Sequence, residues 1–292
     1  MILKKVVIAV LAGGVVAPAQ AETPERPWTV ALNGSAAQDS EASQQTTGSG
    51  SVSLQYDFGD VQLGGSIGAS TANVAVPDIL NVVKASSINS SVFASTAVQG
   101  FNLAATLGYG RQSLDATATA APTAIAAIAN RSVQLNGSIT SISVGATVGR
   151  SFGERLSVTP SVGVTYDSTK TDVSARLPNG PGNGSGAAKT DSGVTFTGGI
   201  DLSYKVSDSF SVGGAGTFIA ASNAAAAQFS NRRGGTFFQQ PRIAAGSVQW
   251  GELSGITTLA LSKALSLSAS VGTTVNLPSR QTFGSAGLSF AF

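Results

Sequence analysis

The chain has 292 residues, 35 of them glycine, and only 11% are charged, with neither histidine nor cysteine. Soluble proteins carry about 25% charged residues, so this composition does not supply an ordinary water-facing surface. The missing residue types exclude disulfides and thiolate metal sites, and they leave every serine without a histidine as its general base.

Residues 1–21 are predicted to be a signal peptide that is cleaved after export. Lys4 and Lys5 precede an apolar run and a small-residue cleavage site at Ala19-Gln20-Ala21. The run is too short for a membrane-spanning helix, which takes roughly twenty residues. The remaining chain, residues 22–292, is expected to form one domain. Its 15 basic and 15 acidic residues balance, which gives no reason to expect a nucleic-acid partner.

Apolar and small polar residues alternate along most of this domain, which predicts strands with two unlike faces. Twelve such strands are expected, near 28–36, 51–58, from 61 onward, 88–97, 101–109, 142–152, 156–166, 194–206, 210–218, 253–261, 265–273 and 284–292. The small polar face cannot form an apolar core, whereas it can line water inside a barrel. The pattern therefore predicts an all-β fold, a transmembrane antiparallel up-and-down β-barrel of about 12 strands.

Short and long connections alternate between the predicted strands. Four short turns are flanked by apolar pairs that must share a face: Phe58 and Val61, Phe152 and Leu156, Val206 and Phe210, Leu261 and Leu265. The long connections are expected at 37–48, 72–86, 112–132, 168–191, 221–246 and 275–281. Outer-membrane barrels have this asymmetry, with their long loops outside the cell.

Two of the long connections have a distinctive composition. Ala116–Asn130 is rich in alanine and interrupted by Pro122, and it is expected to be either a short helix at the mouth or disordered. Asn231–Gly235 together with Arg242 forms a basic loop. This loop either meets the phosphates of lipopolysaccharide or is simply solvated.

Aromatic residues are expected in two bands along the strands. One band lies beside the short turns and the C-terminus: Tyr56, Phe58, Phe101, Phe152, Tyr204, Phe210, Phe290 and Phe292. Tyr109, Tyr166 and Phe218 lie eight to ten residues further along, and this spacing matches girdles on both sides of a lipid-facing band roughly 25 Å tall. The alternative is that these rings form the core of a soluble β-sandwich.

The inward face is predicted to line a lumen that contains few charges. Six lining residues are singled out: Asp57, Asp201, Lys205, Glu252, Thr195 and Ser161. With Asp167, acids outnumber bases on this face, so an open lumen is expected to favour cations weakly. Alternatively, some of these charges are solvated at the rims. No catalytic, cofactor-binding or metal-binding residues are predicted.

The segment Leu156–Ala175, with its central Thr-Pro, and the ending Ser285–Phe292 resemble the barrel domain of autotransporters. The resemblance implies an outer-membrane location, with membrane lipid and lipopolysaccharide as surroundings. It also implies that the barrel-assembly machinery reads the alternating residues Phe292, Phe290 and Leu288 as a terminal signal. Only Glu22–Pro27 separates the signal peptide from the first strand, so a stand-alone barrel without a secreted passenger is expected.

Three functions follow as hypotheses. The first is a porin-like passive channel for small solutes, and the second is an autotransporter-like barrel with a structural or surface-contact role. An outer-membrane enzyme is the third and least favoured, because outer-membrane phospholipases and omptin-type proteases depend on histidine. We therefore expect no enzymatic activity, and conductance separates the first two hypotheses.

Overall fold

The computed structural model describes residues 27–39, 46–76, 80–119, 132–176, 185–224, 226, 246–275 and 281–292. These form twelve strands: β1 Trp28–Asp39, β2 Thr46–Asp57, β3 Val61–Val76, β4 Leu80–Val98, β5 Phe101–Thr119, β6 Ser132–Gly149, β7 Leu156–Arg176, β8 Ser185–Lys205, β9 Phe210–Ala221, β10 Val248–Ala260, β11 Leu265–Val275 and β12 Gln281–Ala291. Each strand pairs antiparallel with its neighbours in the chain, and β1 pairs with β12. The sheet is therefore a closed barrel, as the alternation predicts.

The barrel wall is much taller on one side. Strands β4 to β8 have 18 to 21 residues, whereas β1, β2 and β9 to β12 have 11 to 13. The expected loops at 72–86, 112–132 and 168–191 are therefore partly wrong, because much of each continues as paired strand. Beyond the outer aromatic band the outward positions become polar, as at Asp115, Ser168 and Lys170, so no apolar outward face marks these residues as strand, and cross-strand pairing reveals them.

Three of the four short turns form as predicted. The N–H groups of Phe58, Val206 and Leu261 donate to the carbonyls of the expected partners Val61, Phe210 and Leu265, over 2.9, 3.0 and 2.9 Å. We call the end of the barrel that holds these turns the short-turn end, and the opposite end the outer end.

The fourth turn is longer than predicted. Phe152 exchanges two backbone hydrogen bonds with Val158, at 2.9 and 2.8 Å, instead of pairing with Leu156. Gly153 has φ +87°, and a Cβ there would collide with the carbonyl of Leu156. Phe152 and Leu156 still share a face, because Val158, the partner of Phe152, is two positions from Leu156 along the same strand.

The outward face of the barrel is apolar and exposed. Val162 is 58% exposed, Ile67 59% and Leu107 50%, and the same holds for the aromatic residues Tyr166 and Phe218. Side chains that form a sandwich core would be buried, so the sandwich alternative is wrong. A closed barrel with an apolar outer band between aromatic residues is instead the form that lipid requires.

Within the described part of the chain, no helix has the length and hydropathy to cross a membrane. The predicted signal peptide lies outside the described residues, as does the basic loop with Arg232, Arg233 and Arg242. Most of the alanine-rich segment 116–130 is also outside them, and its first residues belong to β5.

Candidate functional site: the barrel lumen

The inner wall of the barrel consists of small polar side chains. Serine hydroxyls on adjacent strands share hydrogen bonds of 2.6 to 2.8 Å in the pairs Ser35–Ser49, Ser66–Ser91, Ser70–Ser87 and Ser270–Ser285. Between β5 and β8, glycines alternate with threonines: a Cβ at Gly163 would lie 2.7 Å from the Thr197 hydroxyl and 3.1 Å from that of Thr147. Such a wall presents hydroxyls and backbone to the interior of the barrel.

All six predicted lining residues lie on the inward face, but their surroundings differ. Ser161 is half-buried. It pairs with Gly149 of β6 and with Gly199 of β8, so neither cross-strand neighbour has a side chain beside it. Asp201 is half-buried in the half of the wall near the short turns, beside Thr159 and Ala215. Both side chains are only half-buried on the inward face, although Oδ2 of Asp201 is itself buried.

The charges at the short-turn end are rim residues. Asp57 accepts hydrogen bonds from the Gly59 N–H at 2.8 Å and from the Gln62 amide at 3.2 Å, which caps the β2–β3 turn. Lys205 ends β8 and is exposed. The sequence left open whether these charges line the lumen or are solvated at the rim. For Asp57 and Lys205 the geometry supports the position at the rim.

Near the outer end the inner wall is covered. Thr195 is 2% exposed and its hydroxyl lies 3.5 Å from Oδ2 of Asp167, which is itself 1% exposed. Neither side chain borders open space. The expectation that Asp167 contributes a lumen charge is therefore wrong, because the carboxylate is enclosed by its neighbours.

The cover includes the start of the β9–β10 connection, residues 222–224 and 226, which we call the crossing segment. The Asn223 amide donates to the carbonyl of Ser192 over 3.2 Å, and the Thr169 hydroxyl of β7 donates to the carbonyl of Ala226 over 3.4 Å. The segment thus passes from β9 across the inner face of β8 and reaches β7. Ala226 is completely buried.

Gly193 makes this crossing possible. It lies on the inward face of β8 opposite Asp167, and a Cβ there would lie 2.9 Å from Cβ of Asn223. Real Cβ atoms do not approach so closely, so any larger residue would displace the crossing segment from the inner face of β8.

An apolar cluster next to the crossing segment was not anticipated from the sequence. Trp250, Ile219 and Ala221 are buried together on the inward face of β9 and β10, with Val248 packed against them. The indole N–H of Trp250 donates to Oε1 of Glu252 over 3.1 Å, so Glu252 is engaged by its own strand. Extending the predicted tenth strand three residues toward its start would have placed Trp250 inward, by parity with Glu252.

Two phenylalanines also face inward, which the sequence analysis did not recognise. The ring of Phe93 occupies the space that a Cβ at Gly64 would need, and Phe283 does the same at Gly272. Each ring thus packs against a glycine of the neighbouring strand and extends less far into the lumen. Among the described residues, no group of three or more histidines, cysteines, aspartates or glutamates could hold a metal ion.

Comparison with known proteins agrees with this architecture. The translocator domain of the autotransporter NalP from Neisseria meningitidis superposes with a TM-score of 0.74, at 13% identity over 93% of this chain and 91% of that one. The beta domain of the Bordetella autotransporter BrkA gives 0.66, at 16% identity over 92% and 100% of the two chains. An outer membrane channel from Pseudomonas putida F1 gives 0.56, at 12% identity over 95% and 100%. At these identities the similarity concerns the fold.

The sequence itself matches the model of the autotransporter beta-domain over residues 28–272, while no protein with a curated description matches it. The matched region begins with β1 and includes most of β11. The chain therefore belongs to the autotransporter beta-domain family, and it is an outer-membrane β-barrel of that type.

Proposed function

We propose that this barrel is a passive channel for small solutes, with the lumen as the path. The supporting observation is that Ser157, Ser161, Thr165 and Ser203 of the inner wall are half-buried rather than buried, although a closed sheet surrounds them, whereas other inner-wall residues such as Thr159 are buried. Eight-stranded barrels are filled by side chains and barrels of 16 or more strands hold wide channels. Twelve strands with a serine, threonine and glycine lining give a narrow water-filled space.

The crossing segment restricts this path at the outer end. We therefore expect small unitary conductance steps from the folded protein in planar bilayers. A correctly folded barrel without conductance would contradict the channel and favour the alternative, a structural or surface-contact role. The observation that supports the alternative is the tall wall of β4 to β8, which extends about ten residues beyond Tyr109 and Tyr166.

Asp201 is expected to give the channel a weak preference for cations, because a carboxylate on a narrow wall attracts positive ions. Asp201→Asn should move the reversal potential under a salt gradient toward zero and leave the conductance nearly unchanged. Asp208→Asn is the matched control, since Asp208 is an exposed carboxylate in the turn after β8. An unchanged reversal potential in Asp201→Asn, or an equal shift in both variants, would show that Asp201 does not face the ion path.

The barrel-assembly machinery is proposed to recognise Phe292, Phe290 and Leu288. Phe292 is therefore expected to be needed for efficient assembly. Trp28 and Phe292 exchange backbone hydrogen bonds of 3.1 and 2.9 Å across the seam between β1 and β12, and the rings of Phe290 and Phe292 stack at 5.8 Å. Deleting Phe292 removes all three contacts and should lower the heat-modifiable, membrane-inserted fraction. Phe152→Ala, which removes an exposed ring away from the seam, should assemble better than the deletion. Equal assembly of both would contradict the prediction.

Lipopolysaccharide remains a proposed partner on the outer side. The basic loop suggested for this contact lies outside the described residues, so the proposal rests on the sequence and on the outer-membrane location alone.

A further inference from the structure

Asp167 has the most deeply buried carboxyl group among the described residues. Its side chain is 1% exposed. The Thr195 hydroxyl lies 3.5 Å from Oδ2, and Oδ1 accepts no hydrogen bond. A buried carboxylate is normally stabilised by several hydrogen bonds or by a cation. The surroundings of Asp167 therefore give a negative charge almost no support.

Within the described part of the chain, the elements packed against Asp167 offer no counter-charge. Ser143 of β6 and Gly193 of β8 are its cross-strand partners, and both are uncharged. The flanking inward residues of its own strand are Thr165 and Thr169. The crossing segment contributes residues that are likewise uncharged: Ser222, Asn223, Ala224 and Ala226.

The charged groups that follow Asp167 toward the outer end are already paired. Asp191 is the next inward residue of β8 beyond Gly193, and its carboxylate lies 2.8 Å from Nζ of Lys189. Lys170 and Asp172 of β7 pair over 3.4 Å, and their parity places them on the outward face. Both lysines thus neutralise other acids, so the charge of an ionised Asp167 would stand alone.

The crossing segment covers Asp167 on both strands of the β7–β8 ladder. Asn223 lies over Gly193, the partner of Asp167 in β8. Ala226 accepts the hydrogen bond of Thr169, the next inward residue of β7. The segment therefore passes above the carboxyl group and keeps water away from it.

The hold of this segment on the wall weakens along its length. Ser222 anchors its start, because the Ser222 N–H donates to the carbonyl of Val194 over 2.9 Å and the Ser222 hydroxyl accepts from the Val194 N–H over 2.8 Å. Beyond this anchor, side-chain hydrogen bonds of 3.2 Å at Asn223 and 3.4 Å at Ala226 connect the segment to β8 and β7. A modest change in free energy is enough to release contacts of this kind.

We propose that the crossing segment is a pH-sensitive latch, closed while Asp167 is protonated and released from the inner wall when Asp167 loses its proton. Burial disfavours the charged form of a carboxyl group, so the closed position and the neutral form stabilise each other. As the pH rises, the carboxylate gains hydration when the segment leaves the wall. The movement itself is independent of transport, whereas its effect on conductance rests on the proposed channel.

Ala226→Cys reports this movement, since the chain has no cysteine and Ala226 is completely buried. The rate of maleimide labelling is measured on the folded protein in detergent micelles between about pH 5 and about pH 9, a range that includes the titration of buried carboxyl groups. Because the thiolate fraction rises with pH in any protein, each rate is divided by that of Ala226→Cys/Asp167→Asn at the same pH. We expect this ratio to rise several-fold toward high pH. A constant ratio would overturn the latch.

Asp191→Asn is the matched control, because Asp191 is an inward carboxylate of the neighbouring strand that already has Lys189 as its partner. Combined with Ala226→Cys, it should leave the pH dependence of labelling unchanged. Loss of this dependence in Asp191→Asn as well as in Asp167→Asn would mean general charge repulsion at the outer end and would overturn the role of Asp167.

Trp250 gives a second measurement that needs no substitution in the crossing segment. It is buried with Ala221, which directly precedes the segment, and Trp28→Phe leaves Trp250 as the single tryptophan. Quenching of its fluorescence by acrylamide should increase with pH, and Asp167→Asn should abolish the increase. Equal quenching at low and high pH would contradict the release of the segment.

Planar-bilayer recordings at the same pH values separate the latch from the proposed channel. A conductance that rises with pH, together with faster labelling, supports both. Faster labelling without any conductance supports the latch and contradicts the channel. A steady conductance with a constant labelling ratio overturns the latch and leaves the channel in place.

Discussion

Replacing Val162 by arginine is expected to cost about 2–4 kcal/mol of unfolding free energy, the range for a charge at the middle of the lipid-facing surface of a barrel. Val162 is 58% exposed on the outward face of β7. It lies between Leu156 at the short-turn end and Tyr166 at the outer aromatic band, so a guanidinium at this position is far from water on both sides. Unfolding in urea, monitored by the fluorescence of the two tryptophans, gives the free energy.

Ser161→Arg is the control, one residue away on the opposite face. Its cross-strand neighbours Gly149 and Gly199 have no side chains, so the arginine has room to extend into the lumen. This variant should fold with nearly the original stability. Thr195 would be a poor control, since it is buried against Asp167. Similar losses in Val162→Arg and Ser161→Arg would show that the two faces do not meet lipid and water as described.

The second large effect is expected from Gly193→Val, which should raise the unitary conductance several-fold. The added Cβ would lie 2.9 Å from Cβ of Asn223 and 3.3 Å from both the Asn223 nitrogen and the Ser222 hydroxyl, so the crossing segment has to leave the inner face of β8. Displacing it also breaks the hydrogen bond from Thr169 to Ala226. Planar-bilayer recordings measure the result, and Gly193→Ala should give an intermediate conductance.

Gly198→Val is the matched control for this experiment. Gly198 lies on the same strand but on the opposite parity, and a Cβ there meets nothing within 4 Å. The variant should keep the original small conductance. If Gly193→Val inserts as a heat-modifiable barrel and still conducts like the unchanged protein, the crossing segment does not limit passage through the lumen.

The number of strands, the identity of the two faces and three of the four tested turns follow from the order of residues alone. The reason is that lipid and water act on successive residues, so alternation between Val162 and Ser161 is a local requirement that any register of the barrel must satisfy. The same local rule assigns Asp201 and Ser161 to the inward face.

Which inward residues are covered depends on the tertiary fold. Thr195 and Asp167 have the same parity as Ser161, yet they are buried because residues distant in the chain, 222–224 and 226, cross above them. The extra length of β4 to β8 was likewise invisible, since the outward positions there are polar and give no apolar alternation, and pairing between neighbouring strands holds them extended. Parity assigns a side chain to a face, whereas what covers that face depends on contacts between segments far apart in sequence.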